Sequence, residues 1–367
     1  MLHHLDHLTI PTSPIARPRP AAVWGGIWVL YLVWGSTYLG IAVAIETVPP
    51  FLMAGVRFLM AGAILLGWSA ARSGVAFRRP TRREVRDSAI VGALLLGGGM
   101  GLVAYGEQSV PSGIAALLVA MMPLWVAVLG RAVLGERLSR LAAAGVALGL
   151  VGVAVLVSPG DASLAGVDAL HLGALLLSPI CWAAGSLFAA HRARLPERPL
   201  VATGLQMILG AVVLLGMSIV AGEPARFDVA AVSGRSLLAF AYLTLVGSVV
   251  AFTVYGWLLR VAPLPKVATY AYINPVVAVI LGSVILGEPI TLRTIVAGAI
   301  IVVAVALIIT ARSRVPTPAA AERSGERVGL ETDEALERGH RSARRSPVEA
   351  VRRPGRTPVR VEAGPDP

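Results

Sequence analysis

Arg57 is the one charged residue that stands well inside a long apolar run, and Glu46 and Glu107 close two neighbouring runs on the same side. An ionised side chain at bilayer depth costs at least ~2.5 kcal/mol and persists where it is paired or used. Arg57 sits six residues into its run, behind Pro49-Pro50, which puts it roughly 9 Å along a helix from the near end. Two chemistries follow. Either carboxylate neutralises the guanidinium in an outer ion pair, or the site is functional, with the guanidinium attracting an anionic or carboxylate-bearing solute or releasing its partner glutamate for proton coupling.

Polar and aromatic side chains interrupt other apolar runs. One run carries Trp34, Ser36 and Thr37, another Trp182 and Ser186, and a third Tyr270, Tyr272 and Asn274. A lining of this kind suits a small amphipathic solute better than an inorganic ion. Tyr38, Tyr105 and Tyr255 lie nearer run ends, where tyrosine commonly anchors the membrane interface. Pro123 and Pro275 have no amide to donate, which frees the carbonyls of Val119 and Ala271 at mid-membrane depth. Such breaks either kink a helix for packing or turn loose carbonyls toward a ligand cavity.

The elements that must position these groups are apolar helices. Hydrophobic residues make up 56% of the chain and charged ones 14%, against roughly 25% charged in soluble domains. A bilayer core of about 30 Å takes roughly 20 residues of helix. Runs of that order are expected near 24–45, 51–70, 88–106, 112–134, 140–157, 167–190, 200–221, 236–259, 266–286 and 291–311. These continuous runs exclude a β-barrel of short alternating strands. The fold class is therefore all-α integral membrane with ten spans.

Two strings repeat across the chain. Met122-Pro123 precedes Leu134-Gly135-Glu136, and Asn274-Pro275 precedes Leu286-Gly287-Glu288, displaced by 152 positions. Five spans per half is an odd number, so the halves cross the membrane in opposite senses, an inverted repeat of the kind that builds many secondary transporters. Glu136 and Glu288 then fall at opposite faces, where each is expected to cap or orient the next helix. Lys and Arg fall sixteen to three on alternate connections, which puts both termini in the cytoplasm. Spans five and ten lack polar groups and are rich in Gly and Ala, so they are read as scaffold or subunit contact.

The division is a tail over 1–23, a first repeat over 24–157, a second over 167–311 and a tail over 312–367. The last 56 residues hold twelve Arg, nine acids and seven Pro, a composition expected to stay disordered. The charge of +11 is explained by helix-end arginines, and nucleic acid is not an expected partner. His3, His4 and His7 lack a preorganised site, so no metal and no cofactor are expected. Cys181 is the single cysteine and reads as core. No cleaved leader is expected, because the first run is long and nine more follow it.

Trp34-Gly35-Ser36-Thr37-Tyr38, the stretch from Glu46 through Pro49-Pro50 to Arg57-Phe58, and Pro111-Ser112-Gly113-Ile114-Ala115-Ala116 together resemble EamA-type permeases of the drug/metabolite transporter superfamily, nearest to its YedA-like exporters. Tyr272-Ile273-Asn274-Pro275 with Leu286-Gly287-Glu288 is similar to the same family in the second half. The resemblance covers about 24–311. It implies two inverted five-helix repeats, a cavity lined by helices one to four and six to nine, and efflux of small metabolites, amino acids or their derivatives, or drugs by alternating access. Expected partners are a small-molecule substrate and the lipid bilayer, in a monomer or homodimer. The tail beyond Thr310 is outside the family pattern.

An integral membrane enzyme and a channel are the alternatives. The spans hold no Asp in their interiors and no His-Glu-x-x-His or Gly-x-Ser-x-Gly string. A charged ring or carbonyl filter is equally lacking in the sequence.

Overall fold

The computed structural model describes residues 19–73, 78–158, 160, 164 and 166–313. The three N-terminal histidines and the Arg/Pro-rich tail fall outside them. The described chain runs as α1 (Pro20–Ala44), α2 (Pro50–Ser73), α3 (Arg82–Gly106), α4 (Ser112–Leu134), α5 (Arg140–Leu156), α6 (Ala169–His191), α7 (Pro199–Val220), α8 (Gly234–Val261), α9 (Tyr270–Leu286) and α10 (Leu292–Ser313). Eight of these are long and apolar enough to cross a membrane by length and composition, and α5 and α9 are shorter apolar helices.

Local chemistry sets the ends. Proline opens α1, α2 and α7, where its missing amide costs nothing. A capping box starts α3: Thr81 Oγ1 accepts from the Glu84 amide at 3.2 Å and the Glu84 carboxylate from the Thr81 amide at 2.7 Å. Ser139, Asp168 and Ser233 cap α5, α6 and α8. The repeated Leu-Gly-Glu string is a helix stop. Gly135 and Gly287 take φ near +70° at the ends of α4 and α9, a conformation glycine adopts without strain. The next amide then folds back, Glu136 to the Gly130 carbonyl at 3.3 Å and Glu288 to the Gly282 carbonyl at 3.2 Å.

The two halves pack reciprocally. The principal helix contacts are α1 with α8 and α9, α6 with α3 and α4, α2 with α7 and α8, α3 with α7, α4 with α9, and α5 with α10. Exchanging each helix for the one five places along returns the same set. Equivalent helices also run antiparallel. Gly55 of α2 meets Leu215 of α7, while Gly62 meets Gly204 and Ile208. Likewise Gly145, Gly149 and Gly152 of α5 meet Ile308, Ala304 and Ile301 of α10. Small residues let these backbones approach. The glycine face of α5 is thus occupied within the chain.

Two departures from the sequence reading concern backbone continuity. Ala93–Gly101 in α3 and Leu243–Val250 in α8 are wound as π-helix at matching places in the halves, a local overwidening that often marks functional positions. Pro123 does follow a break, since α4 is interrupted at Ala120-Met121. Pro275 does not: α9 runs unbroken through it, and the interruption lies at Ala268-Thr269, after the short helix Leu264–Val267. A proline removes one ladder bond, and neighbouring helices packed around it can hold the rest of the helix straight. The outer surface remains apolar, with Trp28, Leu32, Trp68, Val220, Val284 and Leu292 exposed, as lipid contact requires.

Candidate functional site

Arg57 on α2 is 2% exposed. Its Nε donates to Ser248 Oγ on α8 at 3.0 Å, and its guanidinium lies 4.8 Å from the Phe58 ring centroid. Ser248 spends its own proton on the Leu243 carbonyl at 3.0 Å, so a lone pair is left to receive Arg57. Both residues of that bond belong to the π-wound stretch of α8, which turns the hydroxyl toward α2. Gly247 beside it keeps the space open, because a Cβ there would lie 3.4 Å from Arg57 Nη2 and 3.2 Å from Thr37 Cγ2.

Neither expected ion pair forms. Glu46 sits 3.5 Å from Arg235 Nη1 at the surface, a cation in the first turn of α8. Glu107 is buried with no hydrogen bond to either oxygen. Among the described residues no acidic side chain pairs with Arg57, and its hydrogen-bond partner is Ser248, beside an aromatic face.

Trp34 gathers the aromatic groups. Its ring lies 4.9 Å from Tyr270, 5.2 Å from Tyr255 and 5.5 Å from Phe252, edge-on or tilted. Tyr255 is therefore part of this cluster and not an interfacial anchor. Tyr31 and Thr269 share a hydrogen bond of 2.6 Å alongside it. Ser36 and Thr37 give their protons to their own helix, at the Leu32 and Trp34 carbonyls. Ser36 also meets the Tyr242 hydroxyl at 2.6 Å.

The other sequence candidates are placed differently. The amide nitrogen of Asn274, in the orientation that satisfies it, donates to the carbonyls of Tyr31 at 3.3 Å and Tyr270 at 3.2 Å. It stitches α9 to α1, where Val277 presses on Gly35. Tyr272 packs in part against the main apolar core. Trp182 covers Gly99 of α3, and Ser178 donates to the Gly99 carbonyl at 3.0 Å. Ser186 is half-buried on the same helix. Trp34, Ser36, Thr37, Arg57 and Tyr270 thus form one neighbourhood, while Trp182 belongs to the α3–α6 contact. Sequence reasoning passed over Ser248, Tyr242 and Phe252. The only signal for Ser248 is a Gly-Ser pair in an otherwise apolar stretch.

A cavity of about 410 Å³ opens at the arginine-rich end between α2, α7 and α8. Arg72, Arg198 and Arg260 surround it, with Ser69, Thr203 and Thr253 between them. Phe252 lines this cavity and also packs on Trp34, so its wall continues into the aromatic cluster. Among the described residues no group of His, Cys, Asp or Glu is arranged to hold a metal.

The EamA-like transporter family matches residues 23–158 and 170–310, one repeat in each half. The chain belongs to this family. It is 38% identical over 287 residues to an uncharacterized inner membrane transporter, YedA, of Escherichia coli K12, covering 78% of this chain and 90% of that protein. It is 28% identical over 296 residues to a probable amino-acid metabolite efflux pump of Salmonella typhimurium LT2, covering 75% and 90%. A solved crystal structure at 22% identity and a TM-score of 0.55 covers 80% of this chain and 99% of its own, a likeness of fold. Members named as membrane transporters agree with the apolar surface and the two-repeat layout described above.

Proposed function

We propose that this chain is an inner-membrane secondary transporter that exports small metabolites, amino acids or their derivatives, or drugs by alternating access. All ten apolar helices then cross the bilayer, α5 and α9 included, with the arginine-rich end and both termini in the cytoplasm. The observation that carries the reading is Arg57: a buried cation on α2, unpaired with any acid among the described residues, bonded to the π-wound stretch of α8 from the other half. A guanidinium kept in that state attracts an anionic group, and carboxylate is the group it binds bidentately. The aromatic cluster around Trp34 supplies an apolar wall for the rest of the solute. Trp182, Ser186, Tyr272 and Asn274 act in this reading as part of the moving frame.

Rocking of one half against the other is supported by the reciprocal packing, since the same contacts can be traded between equivalent helices. The name of the Salmonella relative favours amino-acid metabolites as cargo. Untargeted comparison of metabolites inside and outside cells that overexpress or lack the gene tests the reading. The expected result is one or a few carboxylate-bearing compounds accumulating outside overexpressing cells and inside deletion cells. An unchanged metabolite profile in both strains would count against it.

A further inference from the structure

Buried polar atoms without a hydrogen bond are rare in folded chains, and here they are concentrated. Five side-chain atoms among the described residues are in that condition, and three belong to Glu107 and Ser112 at the turn joining α3 to α4. Glu107 is 7% exposed and both of its oxygens lack a donor. The backbone of Ala42 on α1 faces it without completing a bond.

A second carboxylate stands close enough to repel it. Glu288, from the connection after α9, accepts from the Ser112 amide at 2.6 Å and the Gly113 amide at 3.1 Å. It caps α4 of the other half, and not the next helix as its position in the sequence suggests. Gly282 makes room for this arrangement, because a Cβ there would run into the Glu288 carboxylate and lie 2.8 Å from Ser112 Oγ. Two amides at the positive end of a helix favour the anion. Glu288 is therefore the ionised member of the pair.

The remaining side chains offer the Glu107 oxygens no hydrogen bond. Tyr38 faces it from α1. His171 on α6 is engaged with Ser109 Oγ at 2.8 Å and with Gln108, and lies edge-on to Tyr105. Glu46 is paired with Arg235. A bare carboxylate, beside a second one and shut away from water, is far less stable than the neutral acid.

We propose that Glu107 is a proton-binding site, occupied while the α3–α4 turn is packed as it is here, with Glu288 staying ionised as the helix cap. The proton leaves to water when this end of the chain opens, giving a carboxylate and a hydronium ion. Its use as a coupling ion rests on the transport reading above; the binding site itself does not.

Infrared difference spectra of the full chain in lipid nanodiscs, titrated from acid to alkaline pH without any solute, read the protonated carboxyl directly. The wild type should hold a carboxyl band at neutral pH that is lost only on the alkaline side. Glu107→Gln should remove that band. His171→Gln should leave it in place, and Glu288→Gln, which takes away the repelling charge, should move its loss to lower pH without removing it. Glu107→Asp, which keeps the acid, guards against a folding defect in the glutamine variant and should retain a titrating band. No band at neutral pH in the wild type, or a band that survives Glu107→Gln, overturns the proposal. So does a band displaced at fixed pH by sodium chloride and not by potassium chloride, which would assign these oxygens to a sodium ion. Failure here leaves the transport reading standing, whereas a normal band in a chain that moves no solute would sink transport and keep the site.

Discussion

Glu223 offers a demanding test of the reciprocal packing. It lies in the connection between α7 and α8, is 3% exposed, and accepts from the first-turn amides of α2, Phe51 at 3.1 Å and Leu52 at 2.8 Å. Hydrogen bonds to a charged group contribute about 1.5–3 kcal/mol each, so two of them set an upper limit near ~6 kcal/mol. The groups freed by truncation are at a helix end, where losing a cap costs about 0.5–2 kcal/mol. Burial puts Glu223→Ala at the top of that range, about 2 kcal/mol. With an unfolding entropy of about 2.1 cal/mol/K per residue, a chain of this size shifts by roughly 1.5 °C per kcal/mol, so E223A should melt about 3 °C below the wild type in the same detergent. Glu223→Gln keeps an acceptor for one amide and should lose about half as much. Thermal unfolding followed by tryptophan fluorescence reads both. If E223A melts with the wild type, the carboxylate does not hold α2 and the tie between the halves is misjudged.

Three further substitutions probe packing and the arginine. Gly152→Val should lower the melting temperature by the equivalent of about 1–3 kcal/mol, because even a Cβ there would come 2.8 Å from Ile301 Cγ1; Gly25→Ala, with open space around it, should not. Ser248→Ala removes the acceptor of Arg57 Nε, and leaving that donor unsatisfied should cost about 1–3 kcal/mol in the same melting assay; an unaltered melt would mean that water or lipid already serves Arg57.

Much of the fold was legible because helix ends have local chemistry. Proline at the starts of α1, α2 and α7, and glycine in the repeated Leu-Gly-Glu stop, act within a few residues of themselves. The internal repeat survives as sequence for the same reason. Which helix faces which was not legible. In α1, Ile27 and Leu30 are buried while Trp28 and Leu32 are exposed, yet all four are apolar, since lipid and protein interior select the same side chains. The partner of Arg57 consequently went unread: Ser248 is 191 positions away, and its presentation depends on a π-wound turn that no residue type announces. Glu46 and Glu107 looked equivalent as run-ending acids, but one met Arg235 and the other met no cation. Pro275 shows the limit from the other side. A proline frees one carbonyl wherever it falls, and only the surrounding packing decides whether the helix breaks there.

If Arg57 draws a carboxylate-bearing solute through a two-repeat transporter, solute exchange depends on its charge. Proteoliposomes preloaded with an unlabelled amino-acid mixture and given the isotopically labelled mixture outside read this as counterflow by mass spectrometry. One or more labelled compounds should enter above protein-free vesicles, with entry lost in Arg57→Met while that variant still melts cooperatively, and partly kept in Arg57→Lys. Full counterflow through Arg57→Met would contradict it.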